Sequence, residues 1–249
     1  ITSIERARGS RFADTFIGTT GDNRFEGLDG NDSFTGGAGQ DRIVYQRDAQ
    51  YGGTKGVTVN LATGTATDGF GAADSFTGIE QVTGTEVADN LTGGDTALIG
   101  QSYDIFGLGG DDIITAGKHD LYAEPGSGAD TITAGTGFDQ VSYAEYTGSN
   151  GATFDLAAGK VQDPYGSTDT LIGQFESARG TRNADSFIGN SLNNHFRGLA
   201  GNDSFDGGAG LDRVRYDRDA TYGGAAGVTV NLATGTATDG FGNTDTLVS

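Results

Sequence analysis

The sequence predicts an all-β solenoid, with short strands and glycine-aspartate turns wound into stacked coils. Three observations predict it. Three stretches keep an apolar residue and an acid at fixed places in a nine-residue period. Glycine supplies 45 of the 249 residues and proline only 2, which suits turns and excludes collagen or a proline-rich linker. Of the 34 acidic residues 27 are Asp, a turn former and poor helix former; with 15 Lys and Arg the net charge is -19.

The first block, residues 9–44, reads GSRFADTFI, GTTGDNRFE, GLDGNDSFT, GGAGQDRIV. The block at 180–215 reads GTRNADSFI, GNSLNNHFR, GLAGNDSFD, GGAGLDRVR. The middle block, 84–142, holds GTEVADNLT, GLGGDDIIT, PGSGADTIT and AGTGFDQVS from Gly84, Gly107, Pro125 and Ala134. Across these twelve units position 8 is always Phe, Ile, Leu or Val, position 6 is Asp in ten, and position 4 is Gly in eight. Low-complexity sequence would not hold the phase of Phe16, Phe25, Phe34 and Ile43. Positions 7–9 form a strand whose middle side chain points inward while its neighbours face water. The six residues before it form the turn. One unit cannot bury its apolar residue, but a stack can, with two units to a coil and a strand on each side. Residues 93–106 and 116–124, the latter with His119 and Asp120, break the phase.

Stacking in register sets Asp beside Asp, a repulsion of roughly 1 kcal/mol per pair even at water's dielectric. The coil therefore requires cations between its turns. Carboxylates and turn carbonyls are hard oxygen ligands, and flexible sets of six or more suit Ca²⁺ better than Mg²⁺ or softer metals.

These units resemble the hemolysin-type calcium-binding (RTX) repeats, G-G-x-G-x-D-x-(large apolar)-x, most closely in GGAGQDRIV at 36–44, GGAGLDRVR at 207–215 and GLDGNDSFT at 27–35. The resemblance implies a right-handed parallel β-roll or β-helix with calcium-filled turns. Each ion would lie between two turns of one edge, held by position-6 Asp and by carbonyls of positions 1 and 3. Carried over, the carboxylates are Asp32, Asp41, Asp112, Asp130, Asp139, Asp203 and Asp212. The carbonyls are those of Gly27, Asp29, Gly36, Ala38, Gly107, Gly109, Gly198, Ala200, Gly207 and Ala209. Position 4 departs from Gly in four units, at Phe12, Val87, Asn183 and Leu192, where a bulky residue resists the loop conformation. Asp14, Asp89 and Asp185 are thus expected in incomplete loops, and Asn23 and Asn194 would ligate through an uncharged amide oxygen.

Spacers occupy 45–83, 143–179 and 216–249. GVTVNLATGTATDGFG at 56–71 recurs unchanged at 227–242, and a diverged copy, GATFDLAAGKVQDPYG, lies at 151–166. VTVNL alternates, so Val57, Val59 and Leu61 share a buried face; TGTATDG reads as a second strand and turn; Phe76, Ile79 and Val82 point inward. The spacers read as wider coils of one continuous solenoid of three modules over 1–249. Asp68, Asp163 and Asp239 read as turn formers rather than metal ligands. Ile1-Thr2-Ser3 aligns with Phe76-Thr77-Gly78 and Leu247-Val248-Ser249, and neither end reads as a polar cap. The expectation is a segment of a longer array, or copies stacked head to tail into a filament.

With no Cys there is no disulfide, thiolate site or cysteine nucleophile. No apolar run spans a membrane, and the charge opposes nucleic acid. The two His, 119 and 195, lie outside any zinc or serine-hydrolase motif, so no enzyme activity is expected. Acid pairs such as Asp111-Asp112 fall inside the turns, and the glycine runs lack a Walker lysine. Arg42, Arg213 and Arg215 point outward, while Arg6, Arg8, Arg179 and Arg182 cluster before blocks. They read as partners of surface Asp, with a strip for surface glycans as the alternative. Tyr45, Tyr51, Tyr143, Tyr146, Tyr216 and Tyr222 recur after blocks and read as packing over the spacer, with sugar stacking as the alternative.

The function expected is a calcium-binding structural region of a secreted bacterial surface protein (adhesin, fibre or surface-layer type). The resemblance further implies export unfolded by type I secretion, with folding on calcium outside the cell. On the order of six to ten ions would cancel about 12 to 20 charges. The alternative is an accessory folding module of a secreted protease, lipase or epimerase whose catalytic domain lies elsewhere.

Overall fold

Inward positions that the period marks are covered by the same position one coil on, as Phe16 is by Phe34, Phe25 by Ile43 and Leu91 by Ile114; Val214, on the last strand of its face, is half-buried. In the computed structural model, which describes residues 4–96 and 100–248, the chain divides into two units at residues 137 and 138. The segment Ile1-Thr2-Ser3 that aligns with Phe76-Thr77-Gly78, Ser249, and residues 97–99 of the irregular stretch lie outside the described residues.

In the first unit, strands Arg6–Arg8, Arg24–Glu26, Arg42–Val44, Gln81–Thr83, Tyr103–Gly109 and Leu121–Ser127 stack in parallel. They form one face. The opposite face contains Thr15–Ile17, Ser33–Thr35 and Ala73–Thr77, parallel to one another, and Thr58–Asn60, Asn90–Thr92, Ile113–Thr115 and Thr131–Thr133, likewise parallel. Phe16, Phe34 and Phe76 lie in register on this face, as do Val59, Leu91, Ile114 and Ile132. The Phe16 and Phe34 rings stack with centroids 4.9 Å apart. The fold is an all-β parallel roll in its repeat blocks, because a three-residue strand can bury only its middle side chain.

The second unit is built alike. Asp139–Ser142, Ser177–Arg179, His195–Arg197 and Arg213–Val214 stack in parallel on one face. Thr153–Asp155, Ser186–Ile188, Ser204–Asp206 and Thr244–Val248 do so on the other. Phe187 stacks between Phe154 and Phe205 at 4.8 Å from each.

The spacers differ from the wider coils expected. Thr65–Thr67 runs antiparallel to both Thr58–Asn60 and Ala73–Thr77, so the spacer adds a meander to the sheet edge-on; Lys160–Gln162 and Thr236–Thr238 do the same in the second unit. The reversal comes from Asn60, whose Oδ1 accepts the Ala62 and Thr63 N–H groups, and from Gly64 at φ +70°, a left-handed turn that glycine adopts without strain. Val57, Val59 and Leu61 are buried as expected, whereas Val228, Val230 and Leu232 of the identical copy are exposed, since Thr229–Asn231 has no strand laid beyond it among the described residues. Among the described residues helix is confined to one turn at Asp48–Tyr51 and a 3₁₀ turn at Asp219–Tyr222. Among the described residues no helix is long and apolar enough to cross a membrane.

Candidate metal centres

Each coil is tied to the next through its position-6 side chain. The Asp14 N–H donates to Asp32 Oδ1 (2.8 Å), and the Asp32 N–H donates to Asp74 Oδ1 (2.9 Å). The same link joins Asp89 to Asp112, Asp112 to Asp130, Asp185 to Asp203 and Asp203 to Asp245. On the other edge it joins Asn23 to Asp41, Asn194 to Asp212, Asp41 to Glu80 Oε2 and Asp139 to Glu176 Oε2. Asp74, Asp245, Glu80 and Glu176 thus extend the ladder into the spacers, a role the nine-residue reading missed. The signal was present, because Asp74-Ser75-Phe76 repeats Asp32-Ser33-Phe34. Position 5 adds a second ladder, with Asp22, Asn31, Asp111, Asn193 and Asn202 each accepting a backbone N–H one coil on.

The second side-chain oxygen sorts eleven of the twelve turns into two kinds, the turn that ends in Asp139 belonging to neither. In one, position 2 is Ser, Thr or Asn, and its N–H closes back onto position 6. Ser10 donates to Asp14 (2.6 Å), Thr19 to Asn23, Thr85 to Asp89, Thr181 to Asp185, and Asn190 to Asn194. These turns contain all four positions where position 4 is not Gly. In the other kind, positions 2 and 4 are both left-handed, as at Gly37 and Gly39 (both φ +113°); six turns do this, ending in Asp32, Asp41, Asp112, Asp130, Asp203 and Asp212. Leu28, Leu108 and Leu199 adopt φ +73 to +80° at position 2, a strained state held by the surrounding turn.

In these open turns Asp32 Oδ2, Asp41 Oδ2, Asp112 Oδ2 and Asp203 Oδ2 are buried with no hydrogen-bond partner. Buried polar atoms without partners are costly and rare. A Cβ placed on Gly36 would lie 2.6 Å from Asp41 Oδ2 and closer still to the Gly78 carbonyl oxygen. Gly107 is crowded in the same way by Asp112 Oδ2 and the Pro125 carbonyl. So a position-6 carboxylate oxygen and a position-1 carbonyl of the next turn share one small cradle. Gly27, Gly107 and Gly207 present their carbonyls likewise beside Gly9, Gly84 and Gly189. The Gly36 carbonyl does so beside Gly18, and Gly198 is crowded by Asp203 Oδ2. Gly109 is buried in a strand and its N–H donates to Thr85; Asp29 and Ala200 are half-buried; Ala38 and Ala209 are exposed.

Burial and neighbouring carboxylates raise these acids. Asp112 and Asp203 are each pushed up to about 9, by burial first and then by flanking Asp, against the backbone N–H that lowers them. Asp32 rises to about 6, and Asp41 rises, for the same first reason. Burial and like charge at close quarters both disfavour the ionised form. Among the described residues no three His, Cys, Asp or Glu side chains form a ready-made metal cluster. A cation here would draw largely on main-chain oxygens, which suits calcium's preference for many neutral and charged oxygens.

The other candidates resolve into structure. Tyr45 and Tyr143 are buried, and the Tyr45 hydroxyl donates to Asp74 Oδ2 (3.0 Å) and that of Tyr216 to Asp245 Oδ2 (2.8 Å), so these rings pack over the spacer rather than face a sugar. Arg8 pairs with Glu26 at 2.6 Å, and Arg197 and Arg215 share Asp217. Arg179, expected on the surface before a block, is buried. His195 is half-buried against Phe138, and burial followed by Arg213 lowers its pKa; His119 lies against the Asp95 carbonyl.

The family profile of the RTX calcium-binding nonapeptide repeat (4 copies) matches residues 8–43, 104–120, 125–142 and 179–220. No curated protein matches the chain. Among solved structures, the extracellular lipase LipA from Serratia marcescens is similar over 70% of this chain, at 18% identity and a TM-score of 0.16; the match spans 38% of that lipase. The repeat family is structural and calcium-binding, without catalytic chemistry of its own. In those four stretches this chain is built of RTX calcium-binding nonapeptide repeats.

Proposed function

We propose that the chain is a calcium-dependent structural region of a secreted bacterial surface protein, of adhesin, fibre or surface-layer type, that folds when it meets calcium outside the cell. The observation that supports this most is the set of buried, unpartnered Oδ2 atoms of Asp32, Asp41, Asp112 and Asp203, each in an open turn. Asp130, Asp139 and Asp212 occupy the same position in the repeat. The proposed ligands are these carboxylates with the position-1 carbonyls that flank them. Asp14, Asp89, Asp185, Asn23 and Asn194 are left out, since their own turns already occupy the oxygen in question. Bound calcium supplies the positive charge that the stacked acids lack, so ion binding and winding are one equilibrium. Where calcium is scarce the chain stays extended, the form a type I secretion channel passes.

Circular dichroism tests this. Chelator should abolish the β signal and added calcium restore it, while magnesium at equal concentration should not. A β signal that survives thorough chelation at neutral pH would reject the proposal.

A further inference from the structure

The spacers also contain buried acids that the nonapeptide pattern does not explain. Asp48 and Asp68 are both buried, at 1% and 0% exposure. Asp68 Oδ1 accepts the N–H groups of Phe70, Gly71 and Ala72, but its Oδ2 has no partner. Asp48 Oδ2 accepts the Gly69 N–H at 2.9 Å, which fixes the carboxylate beside the turn that Asp68 begins; its Oδ1 has no partner. A Cβ on Gly69 would lie 3.0 Å from Asp48 Oδ2 and 3.2 Å from the Lys55 carbonyl oxygen, so a main-chain oxygen stands close by.

The second unit repeats the arrangement. Asp219 Oδ2 accepts the Gly240 N–H at 2.8 Å, Asp239 Oδ1 accepts those of Phe241 and Asn243, and Asp239 Oδ2 is buried without a partner. Each pair adjoins an open turn. Asp48 feels the fields of Asp68 and Asp32, Asp32 that of Asp68, and both Asp203 and Asp219 that of Asp239, while burial is the largest influence on each of these four. The middle spacer keeps the turn acid, Asp163, whose Oδ2 is likewise buried without a partner, but it has Tyr146 at the place of Asp48 and Asp219, so it lacks the second carboxylate that makes the pair.

We infer that the first and third spacers each hold a divalent oxygen-loving cation of the calcium class, between Asp48 and Asp68 and between Asp219 and Asp239, with main-chain oxygens completing the shell. Such an ion would neutralise the acids packed between successive repeat blocks, where no nonapeptide turn stands. The short helical turn at Asp48–Tyr51 then serves to deliver a carboxylate. The middle spacer, with a phenol in that place, holds none.

The test counts calcium bound to the full 249-residue chain after gel filtration in calcium buffer, by atomic emission, beside thermal unfolding in calcium and in chelator. Asp48→Asn and Asp219→Asn should each remove one ion, the pair two, and lower the melting temperature in calcium only. Asparagine keeps the Gly69 or Gly240 hydrogen bond, and without an ion it relieves repulsion. An unchanged ion count with a higher melting temperature in calcium would therefore overturn the inference. If the variants do not fold, anomalous diffraction from terbium-soaked crystals of the unaltered chain decides it. A peak between Asp48 and Asp68 supports the site, and peaks confined to nonapeptide turns refute it. The nonapeptide ions are counted in the same wild-type measurement, so their failure reads separately.

Discussion

Replacing Gly36 with Ala probes the cradle at its narrowest point. The new Cβ would meet Asp41 Oδ2 at 2.6 Å, about 0.8 Å inside the 3.4 Å of ordinary contact, with the Gly78 carbonyl oxygen closer still. Neither oxygen can retreat freely. Asp41 Oδ1 is bonded by the Asn23 N–H at 2.7 Å, and Gly78 follows the strand Ala73–Thr77. Overpacking of this kind costs about 1–3 kcal/mol. Because the displaced atoms are the proposed ligands, the cost falls on calcium binding, a weakening of roughly 5- to 150-fold at that site. The control is Gly166→Ala. Gly166 has φ +110° and no atom within 4 Å of a would-be Cβ, so the change brings only left-handed strain, about 1–2 kcal/mol, and displaces no oxygen. Calorimetric titration with calcium should show one weakened site for Gly36→Ala and unaltered binding for Gly166→Ala, although both lower stability. Equal effects on calcium, or none from Gly36→Ala, would refute the cradle.

Acid should partly replace calcium. Carboxyls raised in the folded state, Asp112 and Asp203 to about 9 and Asp32 to about 6, favour folding when protonated. Their contribution is complete below the unfolded value near 4 and is lost as pH rises through 6 to 9. In chelator the β signal should therefore grow on acidification from pH 9 to 5; a steady decline over that window would contradict the assignment. Val59→Ala should cost ~1.5 kcal/mol or more, and Val230→Ala under ~0.5, despite identical flanking sequence, because Val59 is buried and Val230 is 46% exposed. Urea unfolding at fixed calcium measures both. Phe187→Ala, which empties the place between Phe154 and Phe205, should destabilise the second unit by about 3–5 kcal/mol in the same assay.

Much of the fold was legible because one apolar residue in nine, at constant phase, admits few arrangements. Phe16, Phe25, Phe34 and Ile43 alternate between the two faces as the period requires. The direction of the spacer strands was not legible. VTVNL and TGTATDG each look like strands, but alternation carries no information on whether the chain turns back; that lay in the Asn60 side chain. The position-6 acids could be found by spacing. Their division into closed and open turns depended on position 2, where Ser10, Thr85 and Thr181 aim an N–H at the acid and Leu28 or Gly37 does not. Asp74 and Glu80 stayed hidden because the count of nine fails before them, although the coil does not.

The link from Asp14 to Asp32 spans 18 residues, and so do those from Asp112 to Asp130 and Asp185 to Asp203. Length in the regular blocks is thus quantised, whereas the Asp89–Asp112 link spans 23 residues. Excising 18 residues removes a whole winding and rejoins like with like. Excising nine exchanges the two faces for everything downstream, setting ring columns against arginine-bearing strands. Gene-level duplication or loss can then lengthen or shorten a regular block only in whole windings, with the meanders and the irregular stretch between Asp89 and Asp112 as the places where that count is reset.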